Sequence, residues 1–320
     1  MKVHFIKNIQ IKDFKCFDDF KADGFARVNL IGGKNNVGKT AFMEACHVNL
    51  SAKDVKTLST ALIATKYRRE RVNTTSADEK NVLSYLEETS NIYVSSNNNK
   101  VFFKVVEGEG IKEYEFSIGK KTTTINVNDF TLQVEGEKNT LFMSSLGSSS
   151  AALIKRYSSL QKRDKEEYLN TILRKVDSRI ESFKVIEDIP QCKINSKYIE
   201  ITNMGDGIRH LISIVSSLYA SENGYLFIDE IGNGIHYTLL DDVWKIILAL
   251  TKELNVQVFA TTHSKECIES FSRVQLERED QSSSYFELAK EKETNNIFMS
   301  ALPPSQLEYE LSHEGKFRGE

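Results

Sequence analysis

The stretch Gly33-Lys34-Asn35-Asn36-Val37-Gly38-Lys39-Thr40 constrains this chain more than any other. It fits G-x-x-x-x-G-K-[ST] and lies between a short apolar strand, Val28 to Ile31, and a helical stretch, Ala41 to Val48. A loop of this pattern in this setting is built to hold phosphate. Gly33 and Gly38 lack a Cβ, so the backbone can curl and turn the N–H groups from Asn35, Asn36 and Val37 through Thr40 and Ala41 toward a nucleotide's phosphates. The helix N-terminus behind them adds partial positive charge. Lys39 is expected to reach the β- and γ-phosphates, and the Thr40 hydroxyl to ligate a bridging Mg²⁺. A Gly-rich loop that binds nothing is the plainer alternative, and the flanking strand and helix speak against it.

A second constellation lies far along the chain. Tyr225 to Ile228 is a continuous apolar run of the kind buried in a parallel sheet, and it ends in Asp229-Glu230. Two carboxylates at the end of a buried strand are costly unless they have partners or chemistry to do. The natural assignment gives Asp229 to Mg²⁺ and Glu230 to a water aligned on the γ-phosphate. A helix with Ile235, Leu239, Leu240, Val243, Ile246, Ile247 and Leu250 on its core face should follow. The strand Val256 to Ala260 then delivers Thr261-Thr262-His263-Ser264. His263 can donate to the γ-phosphate or serve as a structural histidine. Upstream, Asn203-Met204-Gly205-Asp206-Gly207 precedes an amphipathic helix with Ile208, Leu211, Ile212, Val215 and Leu218 on one face. A capped helix without a ligand needs only one of those glycines.

The rest of the chain is less specific. Phe5 to Phe20 reads as extended, and Phe14, Lys15 and Phe17 are either adenine contacts or core. Ser51 to Thr89 reads as polar helix, with a basic cluster of Lys66, Arg68, Arg69 and Arg71 that is a solvated face or a nucleic-acid contact. Short β-prone runs between 91 and 143 suggest an antiparallel meander inserted after the first helical stretch. Ser144 to Ser150 reads as a linker, Leu153 to Phe183 as helix, and Phe183 to Ile201 as a β-prone return to the core.

Length and charge exclude several classes. A chain of 320 residues with 42 basic and 45 acidic side chains lacks the footprint of a dedicated nucleic-acid binder. Cys16, Cys46, Cys192 and Cys267 share no C-x-x-C spacing and read as small core residues in a reducing cytosol. There is no signal-peptide pattern and no apolar run of membrane-spanning length, so the expectation is a cytoplasmic protein with no membrane contact.

The order of these elements resembles the ATPase head of the ABC superfamily. The wording Gly-Lys-Asn-Asn-Val-Gly-Lys-Thr, Met-Gly-Asp-Gly, Ile-Asp-Glu-Ile-Gly-Asn-Gly-Ile-His and Ala-Thr-Thr-His-Ser is similar to stand-alone AAA-type ATPases related to the OLD family, and more distantly to RecF and SMC heads. The resemblance implies an α/β fold, a mixed sheet with flanking helices. It implies a single head over 1–320, with a core lobe at 1–50 and 200–275, a helical and β-rich insertion at about 51–199 and an α/β tail at 276–320. It also implies a head-to-tail homodimer, or a higher homo-oligomer, that traps ATP and Mg²⁺ between subunits. Gly205 and Gly207 would then face the partner's P-loop, with Asn203 standing in for the family's signature serine. Asn233, Gly234 and His236 match the D-loop.

OLD-family nucleases carry a Toprim domain after the head, and residues 273–320 are too short a stretch for one. The leading expectation is a regulatory ATPase of prokaryotic antiviral defence that controls a separately encoded nuclease or toxin. A DNA-repair or chromosome-associated ATPase of the RecF or SMC type is the alternative, with DNA possible but not indicated. A transporter motor subunit ranks last.

Overall fold

The computed structural model describes residues 5–70, 85–86, 91–108, 110–131, 139–145 and 147–313. Its centre is a six-stranded sheet in the order β15-β14-β3-β13-β12-β8. These strands are β3 (Val28–Gly32), β8 (Thr140–Met143), β12 (Tyr225–Ile228), β13 (Gln257–Thr261), β14 (Ser283–Lys290) and β15 (Ile297–Leu302). All neighbours pair in parallel except β15, which runs antiparallel to β14. Every residue of β3 and β13 is buried, as strands covered on both faces must be.

Side-chain alternation sends the two faces into different cores. Leu30, Leu226, Ile228, Val258 and Ala260 join one cluster, while Ile31, Phe227, Phe259 and Phe286 join the other. The first face is covered by α3 (Ser150–Gln161), α4 (Glu166–Val176), α5 (Asp206–Ala220), α6 (Leu240–Glu253), α7 (Lys265–Glu277) and α8 (Pro304–Ser312), all of which contribute to that cluster. The second face carries α1 (Lys39–Ser51) and α2 (Val55–Glu70).

A second six-stranded sheet, antiparallel throughout, lies over α1 in the order β2-β1-β4-β5-β6-β7. Its strands are β1 (Asn8–Phe14), β2 (Phe17–Asp23), β4 (Ile92–Ser96), β5 (Lys100–Gly108), β6 (Ile111–Ile118) and β7 (Lys121–Asn126). Enclosure between two sheets explains why α1 is buried nearly all round, polar residues included, instead of along one stripe. A three-stranded sheet of β9 (Ile180–Ile186), β10 (Ile189–Ile194) and β11 (Lys197–Glu200) lies next to α4.

Several expectations change. The inserted meander is joined by the N-terminal hairpin: β4 pairs with β1, so the two form one sheet. The central sheet also draws β8 from within 51–199 and β14 and β15 from beyond 275, because the pairing is set by burial between distant strands. The helix expected over Leu153 to Phe183 is two helices, broken at Lys162 to Lys165 where Asp164 takes a φ of 52°. Ile180 and Phe183 lie on β9 instead. Cys16 is exposed, and the other three cysteines are buried. Arg71 lies outside the described residues, as do the side chains of Arg68 and Arg69 and the run Leu132 to Val134.

Candidate nucleotide site

The P-loop leaves β3 and enters α1 through two glycines that no other residue could replace without movement. Gly38 has a φ of 108°, and a Cβ there would fall 2.7 Å from Cys16 Sγ. Gly33 has a φ of 136°, and a Cβ there would meet the Leu288 carbonyl oxygen at 2.3 Å. Between them Asn36 takes a left-handed φ of 60°. The Lys39 ammonium donates to the carbonyls of Gly33 at 2.8 Å and Lys34 at 3.0 Å. Burial draws its pKa down, and the Glu230, Asp229 and Glu287 carboxylates push back up.

Parallel strand ends bring the remaining groups to this loop. The Thr40 hydroxyl donates to Asp229 at 3.0 Å (Oδ1) and 3.2 Å (Oδ2). The Thr261 hydroxyl, at the end of β13, donates to Asp229 Oδ1 at 2.8 Å and accepts from the Glu230 N–H at 3.0 Å. Glu230 sits at a left-handed φ of 55°. Its Oε2 accepts from the His263 N–H at 3.2 Å and lies 2.7 Å from His263 Nδ1. Thr40, Asp229, Thr261, Glu230 and His263 therefore form one connected polar chain, drawn from three neighbouring strand ends.

A cavity of about 860 Å³ opens beside it, lined in part by Asn35, Asn36, Gly38, Lys39, Thr40 and Ala41 of the P-loop and by Asp229 and Glu230. Its volume suits a nucleotide. Of the other lining residues, Lys15 is a candidate adenine contact in the sequence, while Cys16, Glu44, Phe142, Ser144 and Ser145 carry no site signal there. Lys15 and Cys16 come from the β1–β2 turn, Glu44 from α1, and Phe142, Ser144 and Ser145 from the end of β8. Lys15 Nζ pairs with Glu44 Oε2 at 2.5 Å. Phe14 and Phe17 are 1% exposed and belong to the core, while Lys15 alone of that trio faces the cavity. The segment read as a Ser-rich linker is thus part of the site wall. Only its place after a strand of the central sheet reveals this.

Gly33 and Val37 shape the loop without lining the cavity, and Asn203, Gly205 and Gly207 do not line it either. Asn203 ends a 3₁₀ turn and Gly205 is the N-cap of α5. The first turns of α5 face a separate hollow of about 340 Å³ with Ser145, Ser148, Asn233 and Gly234. A Cβ on Gly207 would fall 2.5 Å from the Gly234 carbonyl oxygen, so the helix start and the 232–235 turn are interlocked within one chain. Arg209 donates to the Ser148 carbonyl at 2.6 Å, fastening α5 to the segment that walls the nucleotide cavity.

The Thr40 hydroxyl and the Asp229 carboxylate are hard oxygen donors. Mg²⁺ accepts such a pair readily, because it retains waters and phosphate oxygens in its other positions. Among the described residues no cluster of three His, Cys, Asp or Glu could hold a metal. None of the described helices is long and apolar enough to cross a membrane.

A parallel sheet whose strand ends gather a P-loop lysine, a buried aspartate and a glutamate around one cavity, the glutamate braced from outside it by His263, defines a P-loop ATPase. The chain belongs to the AAA ATPase domain family, which matches residues 64–268 and so takes in Asp229, Glu230 and His263 but not the P-loop itself. It is similar to an ATP/GTP phosphatase of Helicobacter pylori, 26% identical over 335 residues that cover 86% of this chain and 89% of that protein. In fold it is similar to the SMC head solved with the C-winged helix domain of ScpA. That match has a TM-score of 0.53 at 11% identity over 93% of this chain and 98% of that one. The SMC head domain from Thermotoga maritima matches with a TM-score of 0.48 at 12% identity, over 93% and 99% of the two chains.

Proposed function

We propose that this ATPase hydrolyses ATP with Mg²⁺ in a head-to-tail homodimer whose opening and closing controls a partner protein in the cytoplasm. The observation that carries the chemistry is Glu230 held by His263 at the lip of the cavity that Lys39, Thr40 and Asp229 line. Lys39 and the backbone N–H groups from Asn35 to Ala41 bind the phosphates, and Thr40 and Asp229 hold the metal, which would neutralise charge on the β- and γ-oxygens. Glu230 takes the proton of a water as the water oxygen bonds to the γ-phosphorus. The bond to the β-γ bridging oxygen breaks, and ADP leaves with its electrons. His263 fixes Glu230 through two contacts, and its remaining ring nitrogen would be the donor toward the γ-phosphate.

The homodimer reading is supported by the position of the α5 start. Asn203, Gly205 and Gly207 stand where the family's signature falls, although Met204-Gly205-Asp206-Gly207 lacks its serine, and they lie off the cavity of their own chain. A second copy would present them to the γ-phosphate, with Asn233, Gly234 and His236 relaying the state of one site to the other.

Glu230→Gln tests both parts. Turnover should fall by about 10²- to 10⁴-fold, the usual worth of a general base. The variant should also run as a dimer by light scattering in ATP and Mg²⁺ and as a monomer without them. Wild-type turnover would remove Glu230 from its role, and a monomer under both conditions would remove the dimer.

The output we infer is regulation of a separately encoded nuclease or toxin in prokaryotic antiviral defence, supported by the resemblance of the motifs at 228–236 and 260–264 to OLD-related ATPases. Co-purification from the native host should recover such a protein in one nucleotide state and lose it in the other. Recovery of this chain alone in every state contradicts it. Recovery of DNA with steeply salt-dependent affinity would favour the repair-type reading.

A further inference from the structure

Glu287 lies beside the phosphate-binding loop but has no place in the chemistry above. It stands on β14 directly opposite Gly32, the last residue before the P-loop. A Cβ on Gly32 would fall 2.0 Å from the Tyr285 hydroxyl oxygen and 3.0 Å from Glu287 Oε2, so these two side chains fill the space under the loop's entry. Tyr285 is wholly buried, and its hydroxyl donates to Glu287 Oε2, fixing the carboxylate in place. The carbonyl of Gly33, next in the chain after Gly32, accepts from the Lys39 ammonium at 2.8 Å, which sets Glu287 on the same side of the loop as that lysine, and Glu287 joins Glu230 and Asp229 in favouring its charged form. Those two line the nucleotide cavity and Glu287 does not.

Burial raises the Glu287 pKa, while the Tyr285 hydroxyl and the Lys39 ammonium favour its charged form, and a negative charge so close to an anion-binding loop works against the binding of phosphate. A site shaped only for tight binding would carry a neutral side chain there. We infer that Glu287, held by Tyr285, is a positioning residue that draws on the Lys39 ammonium from outside the cavity and keeps nucleotide affinity low enough for ADP to leave. This rests on the reading that the cavity binds nucleotide phosphates. Glu287 does not line the cavity, and acts through Lys39 and through the packing under Gly32.

The test is titration of a fluorescent ADP analogue into wild type, Glu287→Gln, Glu287→Asp and the double variant Tyr285→Phe/Glu287→Leu. The double variant removes both partners together and so leaves no orphaned buried hydroxyl if the single neutral variant folds poorly. Both neutral variants should bind the analogue about five- to tenfold more tightly than wild type. Glu287→Asp, which keeps the charge, should stay within about twofold of wild type. Where Glu287→Gln slows ADP release, kcat should drop while KM falls with it. A folded neutral variant with unchanged or weaker affinity overturns the inference, as does an aspartate variant that binds as tightly as the glutamine one. Wild type that takes up no nucleotide fails the underlying reading as well, whereas normal wild-type binding with an inert Glu287→Gln fails this inference alone.

Discussion

Gly207→Ala tests the interlock between the start of α5 and the turn that follows Glu230. The added methyl would lie 2.5 Å from the Gly234 carbonyl oxygen, 3.5 Å from its carbonyl carbon and 3.6 Å from the Ile235 Cα. All three are backbone atoms, so no side chain can swing aside to relieve the contact. Forced overpacking costs about 1–3 kcal/mol, and a contact this short against backbone belongs in the upper part of that range, about 2–3 kcal/mol. Replacing Gly by Ala in a helix returns at most about 1 kcal/mol, leaving a net loss of roughly 1–2 kcal/mol. For a chain of 320 residues that is a fall in Tm of about 1.5–3 °C. Gly205→Ala supplies the internal comparison, since a Cβ there meets nothing within 4 Å. As the N-cap of α5 it should lose only about 0.5 kcal/mol. Urea unfolding of the two variants decides the matter. A Gly207→Ala protein no less stable than Gly205→Ala would refute the interlock. Turnover should divide the other way, with Gly205→Ala impairing hydrolysis despite its intact stability if that residue faces a partner's phosphate.

Thr261→Val keeps the shape of a fully buried side chain but removes the hydroxyl that serves Asp229 and the Glu230 N–H. Two buried groups lose a partner, for a loss of about 2–4 kcal/mol in urea unfolding, and a loss under about 0.5 kcal/mol would contradict the described chain. Ellman's reagent should titrate one thiol, Cys16, quickly in the folded protein, and ATP should slow it. Burial pushes the Cys192 and Cys267 thiols up to about 12 and that of Cys46 well above its usual value, so two or more fast thiols would be inconsistent with the core. Burial tends to raise the Asp280 pKa, but the Ser282 hydroxyl and N–H, both at 2.6 Å, and Lys252 at 3.3 Å outweigh it and hold the carboxyl below 3.8. A pKa depressed in the folded state gives stability that is present above the unfolded value and lost as pH falls through the folded one. The advantage of wild type over Asp280→Asn should therefore persist at pH 6 and shrink below about pH 4, and a constant difference would remove the ionic contribution.

The features legible in the sequence are those whose cause is local. The P-loop announces itself by its glycines, and β12 by four apolar residues ending in Asp229. The helix α5 shows in its periodic Leu211, Ile212, Val215 and Leu218. The approach of Asp229 to Thr40 then follows, since β12 runs parallel to β3 with β13 between them and all three end on the same side. The places where reading failed are decided by distant pairing. β8 is four residues long with only Thr140 and Met143 buried, too weak a pattern to mark a strand of the central sheet. Consequently Ser144 and Ser145 looked like linker, although the position of β8 beside β12 carries them into the cavity wall. Cys16 reads as core and reaches the site because its hairpin folds back over Gly38, which no spacing records. Glu287 is opposite Gly32 only because β14, remote in sequence, joins β3 in parallel. The break at Asp164 escaped notice because apolar residues continue at helical spacing on both sides of it, while a left-handed residue cannot extend the helix.

The central claim is that a nucleoside triphosphate and Mg²⁺ occupy the cavity between the P-loop and the Asp229-Glu230 turn. Calorimetric titration of ATP, with and without Mg²⁺, into wild type and Lys39→Ala tests it most directly. Wild type should bind one ATP per chain, more tightly with the metal, and Lys39→Ala should lose at least about tenfold in affinity, the worth of one charge-assisted contact. Absence of binding by wild type, or equal affinity in the two proteins, would contradict the account.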